Sequence, residues 1–106
     1  MSKNINIQTA RPGMSGTEPK KDIRLLLVDD EKEFVTVLSN RLRKRGIDVG
    51  KATCGATAIQ ALRRQDFDVA VLDLKMEDMD GIEVLKIFKK MVPEMPIIIL
   101  TGHGSD

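Results

Sequence analysis

Four short runs of apolar residues along the chain predict β-strands. Three of them show almost no alternation between apolar and polar positions, which is typical of strands buried on both faces of a sheet. The second run is the weakest of the four. The runs are IRLLLV (23–28), IDVGKAT (47–53), VAVLDL (69–74) and PIIILTG (96–102).

Each stretch between two of these strands has apolar residues at helical spacing. Such spacing predicts amphipathic helices that cover the sheet with one face. Gly46 is a natural end for the first helix, and Pro93 ends the third. The residues expected to face the core are Phe34, Val37, Leu38 and Leu42 in residues 31–46, Ala58, Ile59 and Leu62 in residues 55–65, and Val84, Leu85, Phe88 and Val92 in residues 81–92.

The predicted order of elements is β-α-β-α-β-α-β. Strands that alternate with helices form a parallel sheet with helices on both faces, so the predicted fold class is α/β with a doubly wound sheet. Because the crossovers are right-handed, the carboxyl ends of all strands meet at one edge of the sheet. In sheets of this kind the ligand binds in the crevice at that edge.

Polar side chains stand at the ends of the three strongest strands. Asp29, Asp30 and Glu31 follow the first, Asp73 lies near the end of the next, and Thr101 ends the last. Neighbouring carboxylates repel one another unless a cation compensates for their charge. Aspartates are hard oxygen ligands that suit Mg²⁺, which binds through a few carboxylates, water and phosphate oxygens. The pattern therefore predicts a magnesium site at this edge.

Asp73 differs from the other two aspartates because strand residues flank it on both sides. Its carboxylate should therefore point in a fixed direction. A fixed carboxylate beside a metal can attack phosphorus and form an acyl phosphate. Thr101 offers a hydroxyl that can hydrogen-bond a phosphoryl oxygen, and Gly102 leaves room beside it.

Each of these residues also has an ordinary structural interpretation. Asp29 or Asp30 alone could cap the helix that starts near Glu31. Thr101 alone could be a turn residue at the end of its strand. The other polar residues near the edge, expected to be solvated, are Lys75, Glu77, Asp78, Asp80 and His103. The chemical interpretation rests on the joint occurrence of the aspartates and the threonine at the ends of consecutive strands.

Composition narrows the class of protein. The chain has 106 residues, of which 42% are hydrophobic and 31% charged, as expected for one globular domain. A net charge of +1 predicts neither direct nucleic-acid binding nor binding to an anionic membrane. The single cysteine, Cys54, and the lack of a long apolar run predict a cytoplasmic location. Residues 1–22 are expected to be a flexible leader before a domain at 23–106.

Three motifs resemble those of response-regulator receiver domains, the phosphoacceptor modules of bacterial two-component signalling. They are VDDE (28–31), VLDLKMEDMDG (71–81) and PIIILTGHGS (96–105). The order, spacing and strand placement of all three fit the family. The resemblance covers residues 23–106 and implies a flavodoxin-like doubly wound parallel sheet.

The resemblance also implies roles for the residues at the sheet edge. By this resemblance, Asp73 corresponds to the aspartate that is phosphorylated. Asp30 corresponds to a direct Mg²⁺ ligand, and Asp29 to a nearby residue that often binds the metal through water. The backbone carbonyl of Lys75 is then the remaining protein ligand. Thr101 resembles the switch hydroxyl that moves toward the phosphoryl group. The implied phosphodonor is a phosphohistidine on a sensor histidine kinase. The side chains of Lys75 and His103 flank the site, at positions where such families tune dephosphorylation.

The sequence departs from the family pattern in two ways. Glu77 stands where the family usually has proline. The family has five parallel strands in the order 2-1-3-4-5. This chain has patterns for only four strands, so the resemblance implies the order 2-1-3-4. The fourth helix, the fifth strand with its phosphoryl-binding lysine, and the fifth helix are not found. The strand PIIILTG is then expected to be an unprotected edge, which predicts a fragment of a longer protein or self-association through that strand.

The function predicted on these grounds is that of a signalling switch rather than an enzyme. Phosphorylation of Asp73 would shift an equilibrium between two states of Thr101 and the surface beyond it. One alternative is an interaction module or fragment that is not competent for phosphotransfer, because the lysine is missing. The other is a Mg²⁺-dependent aspartyl phosphohydrolase. Such enzymes usually have a second aspartate two positions after the nucleophile, where this chain has Lys75.

Overall fold

The computed structural model describes residues 4–5, 22–76 and 80–101, with Asn4, Ile5 and Thr101 described for their backbone alone. Within these residues, strands and helices alternate after a short first strand. The strands are β1 (Asn4–Ile5), β2 (Arg24–Val28), β3 (Asp48–Ala52), β4 (Val69–Asp73) and β5 (Ile97–Thr101). The helices are α1 (Lys32–Lys44), α2 (Gly55–Arg64) and α3 (Gly81–Met91).

The strands form one sheet in the order β1-β5-β4-β2-β3. The pairs of β2 with β3, of β2 with β4 and of β4 with β5 are all parallel. Counted along the chain without β1, the parallel strands therefore have the order 2-1-3-4, and the predicted fold class is confirmed. No fifth parallel strand lies within the described residues.

The outer edge of β5 differs from the sequence prediction, which expected it to be unprotected. Residues Asn4 and Ile5 pair with it antiparallel, opposite Thr101 and Leu100 respectively. Two residues are too few to show a period of two, so the sequence pattern could not reveal this strand. The prediction of an open edge is wrong for these positions. The boundary at residue 22 stays a prediction, and most of the leader lies outside the described residues.

Alternate residues of the strands pack against helices on opposite faces of the sheet. On one face lie α2 and α3, whose Ala58, Leu62, Val84 and Phe88 share a cluster with Leu26. On the other face lies α1, whose contribution to the core comes from four residues. These residues are Phe34, Val35, Leu38 and Leu42. The molecule therefore has three layers, as a doubly wound sheet requires.

One predicted core residue is on the wrong side of α1. The side chain of Val37 is 52% exposed, whereas Val35 and Ser39 are almost fully buried. Residues 34, 35, 38, 39 and 42 form one continuous stripe on a helix with 3.6 residues per turn, and residue 37 lies outside that stripe. The expectation that Val37 faces the core is therefore wrong.

The end of α1 is fixed by Gly46, as the sequence predicted. Gly46 has a φ of 86°, in the left-handed region that glycine adopts without strain. Its N–H donates to the carbonyl of Arg43, and the N–H of Ile47 donates to that of Leu42. These two hydrogen bonds form a Schellman motif, which ends the helix and starts the chain toward β3. Of the helices in the described residues, none is long and apolar enough to cross a membrane.

Candidate functional site

The acidic residues lie at the carboxyl ends of two adjacent strands. In the parallel pair of β2 and β4, Val28 lies opposite Leu72. Asp29 and Asp30 directly follow β2, and Asp73 is the last residue of β4. Because the register brings the two strands to the same level, the residues that follow Val28 and Leu72 meet at one edge of the sheet.

The three carboxylates form a cluster in which one oxygen of each lies within 4.8 Å of the others. Asp29 and Asp73 are buried, with 0% and 3% of their surfaces exposed. Asp30 is half-buried. The predicted cluster of Asp29, Asp30 and Asp73 is confirmed.

Backbone hydrogen bonds fix the direction of two of the carboxylates. The N–H of Glu31 donates to Oδ1 of Asp29 over 2.9 Å. The N–H of Lys75 donates to Oδ1 of Asp73 over 3.0 Å. A carboxylate bonded to the peptide two residues later cannot rotate without losing that bond. The Asp73 carboxylate is therefore oriented by its own loop. Strand residues were expected on both sides of Asp73, but β4 ends at this residue, so the direction is fixed as expected and the expected cause is wrong.

The N-cap residue of α1 is Glu31, and its own side chain makes no capping hydrogen bond. Asp29 is tied to the neighbouring strand, because its N–H donates to the carbonyl of Ala52 over 3.1 Å. The capping role occurs at α3, where Oδ1 of Asp80 accepts from the N–H of Ile82 over 3.0 Å. Asp80 was predicted to be a solvated loop residue, and it is exposed as well as capping.

For the remaining predicted site residues, the structure describes only some of the atoms or none. Lys75 lies two residues after Asp73 and its side chain is exposed. Thr101 is the last residue of β5, which pairs with β4, so its backbone lies at the same edge as Asp73. The hydroxyl of Thr101 and the residues Glu77, Asp78, Gly102 and His103 lie outside what the structure describes.

A close approach between Leu74 and Gly81 was not predicted from the sequence. The N–H of Gly81 donates to the carbonyl of Leu74 over 3.1 Å. A Cβ at position 81 would overlap the backbone of Leu74. Lys75 and Asp80 form a bridge beside this contact. The start of α3 is thus packed directly on the peptide that follows Asp73. A glycine at the first position of a predicted helix was the only available signal.

The chemistry of this donor set is that of a hard divalent cation. Three negative charges within 4.8 Å of one another repel strongly. Two of them are also buried, so water screens the repulsion poorly. A bound cation would relieve the repulsion, and carboxylate oxygens at this spacing fit Mg²⁺ better than a softer metal.

Residues 25–106 match the family model described as "Response regulator receiver domain". The chain belongs to this family. This receiver domain is 41% identical over 85 residues to the transcriptional regulatory protein GlrR of Escherichia coli strain K12. That alignment covers 80% of the present chain and 19% of GlrR. The chain thus spans about a fifth of the length of this relative, and only its receiver region is represented.

Two solved structures are similar to this receiver domain in fold. A CheY-like receiver domain protein from Methanospirillum hungatei JF-1 superposes with a TM-score of 0.76 at 29% identity, over 80% of this chain and 68% of that one. The response regulator TrrA from Thermotoga maritima, solved in complex with Mg²⁺ and BeF, gives a TM-score of 0.67 at 28% identity, over 71% of this chain and 65% of that one. The acidic triad of Asp29, Asp30 and Asp73 is like the receiver magnesium site.

Proposed function

We propose that this receiver domain accepts a phosphoryl group on Asp73 from the phosphohistidine of a sensor histidine kinase, with Mg²⁺ in the acidic cluster. The observation that supports it most is the placement of Asp73. Its carboxylate is held by the N–H of Lys75 and lies within 4.8 Å of the carboxylates of Asp29 and Asp30. The proposal makes the domain a phosphoacceptor in a bacterial two-component pathway, located in the cytoplasm, rather than an enzyme with turnover.

The proposed reaction is a single displacement at phosphorus. A carboxylate oxygen of Asp73 attacks the phosphorus, the P–N bond to the donor imidazole breaks, and its electron pair stays on the ring nitrogen, which takes up a proton. The product is an acyl phosphate on Asp73. The hydrogen bond from Lys75 fixes the nucleophile before the donor arrives, so little orientational freedom is lost in the transition state.

The metal would be held by Asp30, by Asp29 directly or through water, by Asp73 and by the backbone carbonyl of Lys75. Its contribution is to neutralise the negative charge that develops on the phosphoryl oxygens beside three carboxylates. The cluster supports this assignment, because its oxygens lie within 4.8 Å of one another and two of the three side chains are buried. The described part of the site offers no softer ligand than these oxygens.

The signal would pass to β5 through Thr101. This residue ends the strand that pairs with β4, and Leu100 beside it lies opposite Asp73. A hydroxyl that hydrogen-bonds the new phosphoryl group would shift the equilibrium of this edge of the sheet.

The experiment is an intact-mass measurement on the full chain with Mg²⁺ and acetyl phosphate as donor. We expect one phosphoryl adduct that is lost in Asp73→Asn, lost on addition of a chelator, and cleaved by hydroxylamine as an acyl phosphate. Asp66→Asn is the matched control, because Asp66 is an exposed aspartate in the loop before β4. It should give the same adduct as the wild type.

The two alternative functions give different results in the same experiment. An interaction module gives no adduct under any condition, and that result would overturn the proposal for this chain. An aspartyl phosphohydrolase consumes acetyl phosphate continuously, with rates far above those of its slow spontaneous loss. Such hydrolases usually have a second aspartate as general acid two positions after the nucleophile, where this chain has the exposed Lys75.

A further inference from the structure

The edge of β5 is occupied by the amino-terminal segment of the same chain. Asn4 pairs with Thr101 and Ile5 with Leu100, antiparallel to β5. On its other side, Leu100 lies opposite Asp73 of β4. Ile5, Leu100 and Asp73 therefore form one row across three strands, and β5 has a neighbour on both sides at its carboxyl end.

This edge has the composition that makes an open strand hazardous. Residues Ile97–Thr101 read IIILT, which is β-branched or apolar throughout and carries no charge. Uncharged strands of this kind pair readily with a second chain when their backbone groups are exposed. None of the usual protections, such as a lysine, a proline or a bulge within the strand, is present in β5. Its protection must come from whatever lies beside it.

The side chain of Leu100 is buried in one face of the sheet, and Asn4–Ile5 lies beside its backbone. Leu100, the partner of Ile5, is only 2% exposed. Its cluster contains residues of β2, β3 and β4 and of α1. In the five-stranded family order the next parallel strand would occupy this position. Here Asn4–Ile5 occupies it in the opposite direction.

We propose that the amino-terminal segment containing Asn4–Ile5 is an intramolecular ligand of the β5 edge, and that it keeps a second copy of this chain from pairing there. Tethering gives the segment an effective concentration of about millimolar, far above that of a second copy in dilute solution. A two-residue pair contributes few hydrogen bonds, each of modest net strength. The segment is therefore displaceable, and its loss should expose β5 without unfolding the sheet.

The test compares two full-length variants with adjacent prolines. Successive N–H groups of a strand point to opposite sides, so of Asn4 and Ile5 one must direct its N–H at β5. The double variant Asn4→Pro/Ile5→Pro removes that donor whichever residue supplies it. Gly16→Pro/Thr17→Pro is the matched control, because it adds the same two residues to the leader farther along the chain from Asn4 and Ile5.

The readouts are amide hydrogen exchange and sedimentation. In the wild type and the control, we expect a monomer in which the amide of Leu100 or Thr101 that faces Asn4–Ile5 is protected. In Asn4→Pro/Ile5→Pro, that amide should exchange at least tenfold faster, while the amides of β2 and β4 stay protected. The same variant should associate as its concentration rises. Unchanged exchange of that amide would overturn the proposal.

A measurement on the unmodified protein makes the test independent of how the variants fold. In isotope-labelled wild type, backbone nuclear Overhauser contacts between Asn4 and Thr101 are expected within one molecule. If they are absent, or appear only between differently labelled copies, the segment is not an intramolecular ligand and the proposal fails. None of these readouts involves phosphorylation, so their results do not depend on whether the proposed function is correct.

Discussion

Gly81 lies against the backbone of Leu74, so close that a Cβ on Gly81 would overlap it. Leu74 directly follows Asp73, and Lys75, whose N–H holds the Asp73 carboxylate, comes next. The first residue of α3 therefore supports the peptide on which the acidic cluster depends. The contact ties the packing of a helix to the position of a candidate metal ligand, the carbonyl of Lys75.

Replacing Gly81 by alanine should damage the site more than the fold. The overlap forces either α3 or the Leu74–Lys75 peptide to move, at a cost of about 2 kcal/mol in the free energy of unfolding. We expect the affinity for Mg²⁺, measured by calorimetry, to fall about tenfold or more, since 1.4 kcal/mol of lost binding energy is enough for that.

The matched control is Gly50→Ala, in the middle of β3. A Cβ there would lie 3.0 Å from two ring atoms of Phe67, away from the acidic cluster. We expect it to lower stability by about 1–2 kcal/mol and to leave Mg²⁺ affinity within twofold of the wild type. Equal Mg²⁺ affinities in the two alanine variants would show that the contact between Gly81 and Leu74 has no role in forming the site.

Neutralising Asp30 should stabilise the metal-free protein. With the three carboxylates within 4.8 Å of one another, removing the charge of Asp30 relieves about 1–3 kcal/mol of repulsion with each of its two neighbours, for an effective dielectric constant between those of the protein surface and water. Asp30→Asn should therefore melt at a higher temperature than the wild type in the presence of a chelator.

Magnesium should reverse this order. A ligand at a hundred times its dissociation constant stabilises the folded state by about 2.7 kcal/mol, and Asp30→Asn should lose most of that gain. Asp66→Asn, an exposed aspartate outside the cluster, should melt like the wild type with and without Mg²⁺. A metal-free Asp30→Asn that is less stable than the wild type would mean that the carboxylates are not mutually repulsive.

The sequence predicted the layered fold because the apolar runs of the strands and the helical spacing of apolar residues between them are both clear in this chain. Apolar runs without alternation indicated buried parallel strands, and the observed elements from β2 to β5 begin and end within two residues of the predicted bounds. The acidic cluster followed from topology alone, because the carboxyl ends of adjacent parallel strands meet. Neither prediction required knowledge of side-chain packing.

Three features depended on tertiary contacts and could not be read from the pattern. The pairing of Asn4–Ile5 with β5 involves too few residues to show a period. The contact of Gly81 with Leu74 depends on how α3 meets the sheet. The choice of Val35 over Val37 depends on the rotation of α1 about its axis, which residue type alone leaves open, since both are valines.

These two valines provide a stability test on one helix with one substitution. Val35 is 2% exposed and Val37 is 52% exposed. Val35→Ala removes two buried methyl groups and should cost about 2 kcal/mol in the free energy of unfolding, including the cavity that remains. Val37→Ala should lie within about 0.5 kcal/mol of the wild type, because alanine has the higher helix propensity and little buried surface is lost. Urea denaturation measures both, and similar losses would contradict the observed rotation of α1.

Ser39 is a polar residue in the stripe of α1 that faces the core. It is 0% exposed, and its Oγ has no hydrogen-bond partner among the described residues. A buried hydroxyl without a partner costs about 1–3 kcal/mol, and alanine is also the better helix former by about 0.5 kcal/mol. Ser39→Ala should therefore raise the free energy of unfolding by about 1 kcal/mol or more.

The control for Ser39→Ala is Thr36→Ala, on the exposed side of the same helix. It changes helix propensity by a similar amount and relieves no buried hydroxyl, so it should stabilise by about 0.5 kcal/mol at most. The excess of the Ser39 effect over the Thr36 effect measures the cost of burying the hydroxyl. If Ser39→Ala destabilises the domain, the hydroxyl makes a favourable contact, and the stripe of α1 tolerates a polar residue because that residue is bonded.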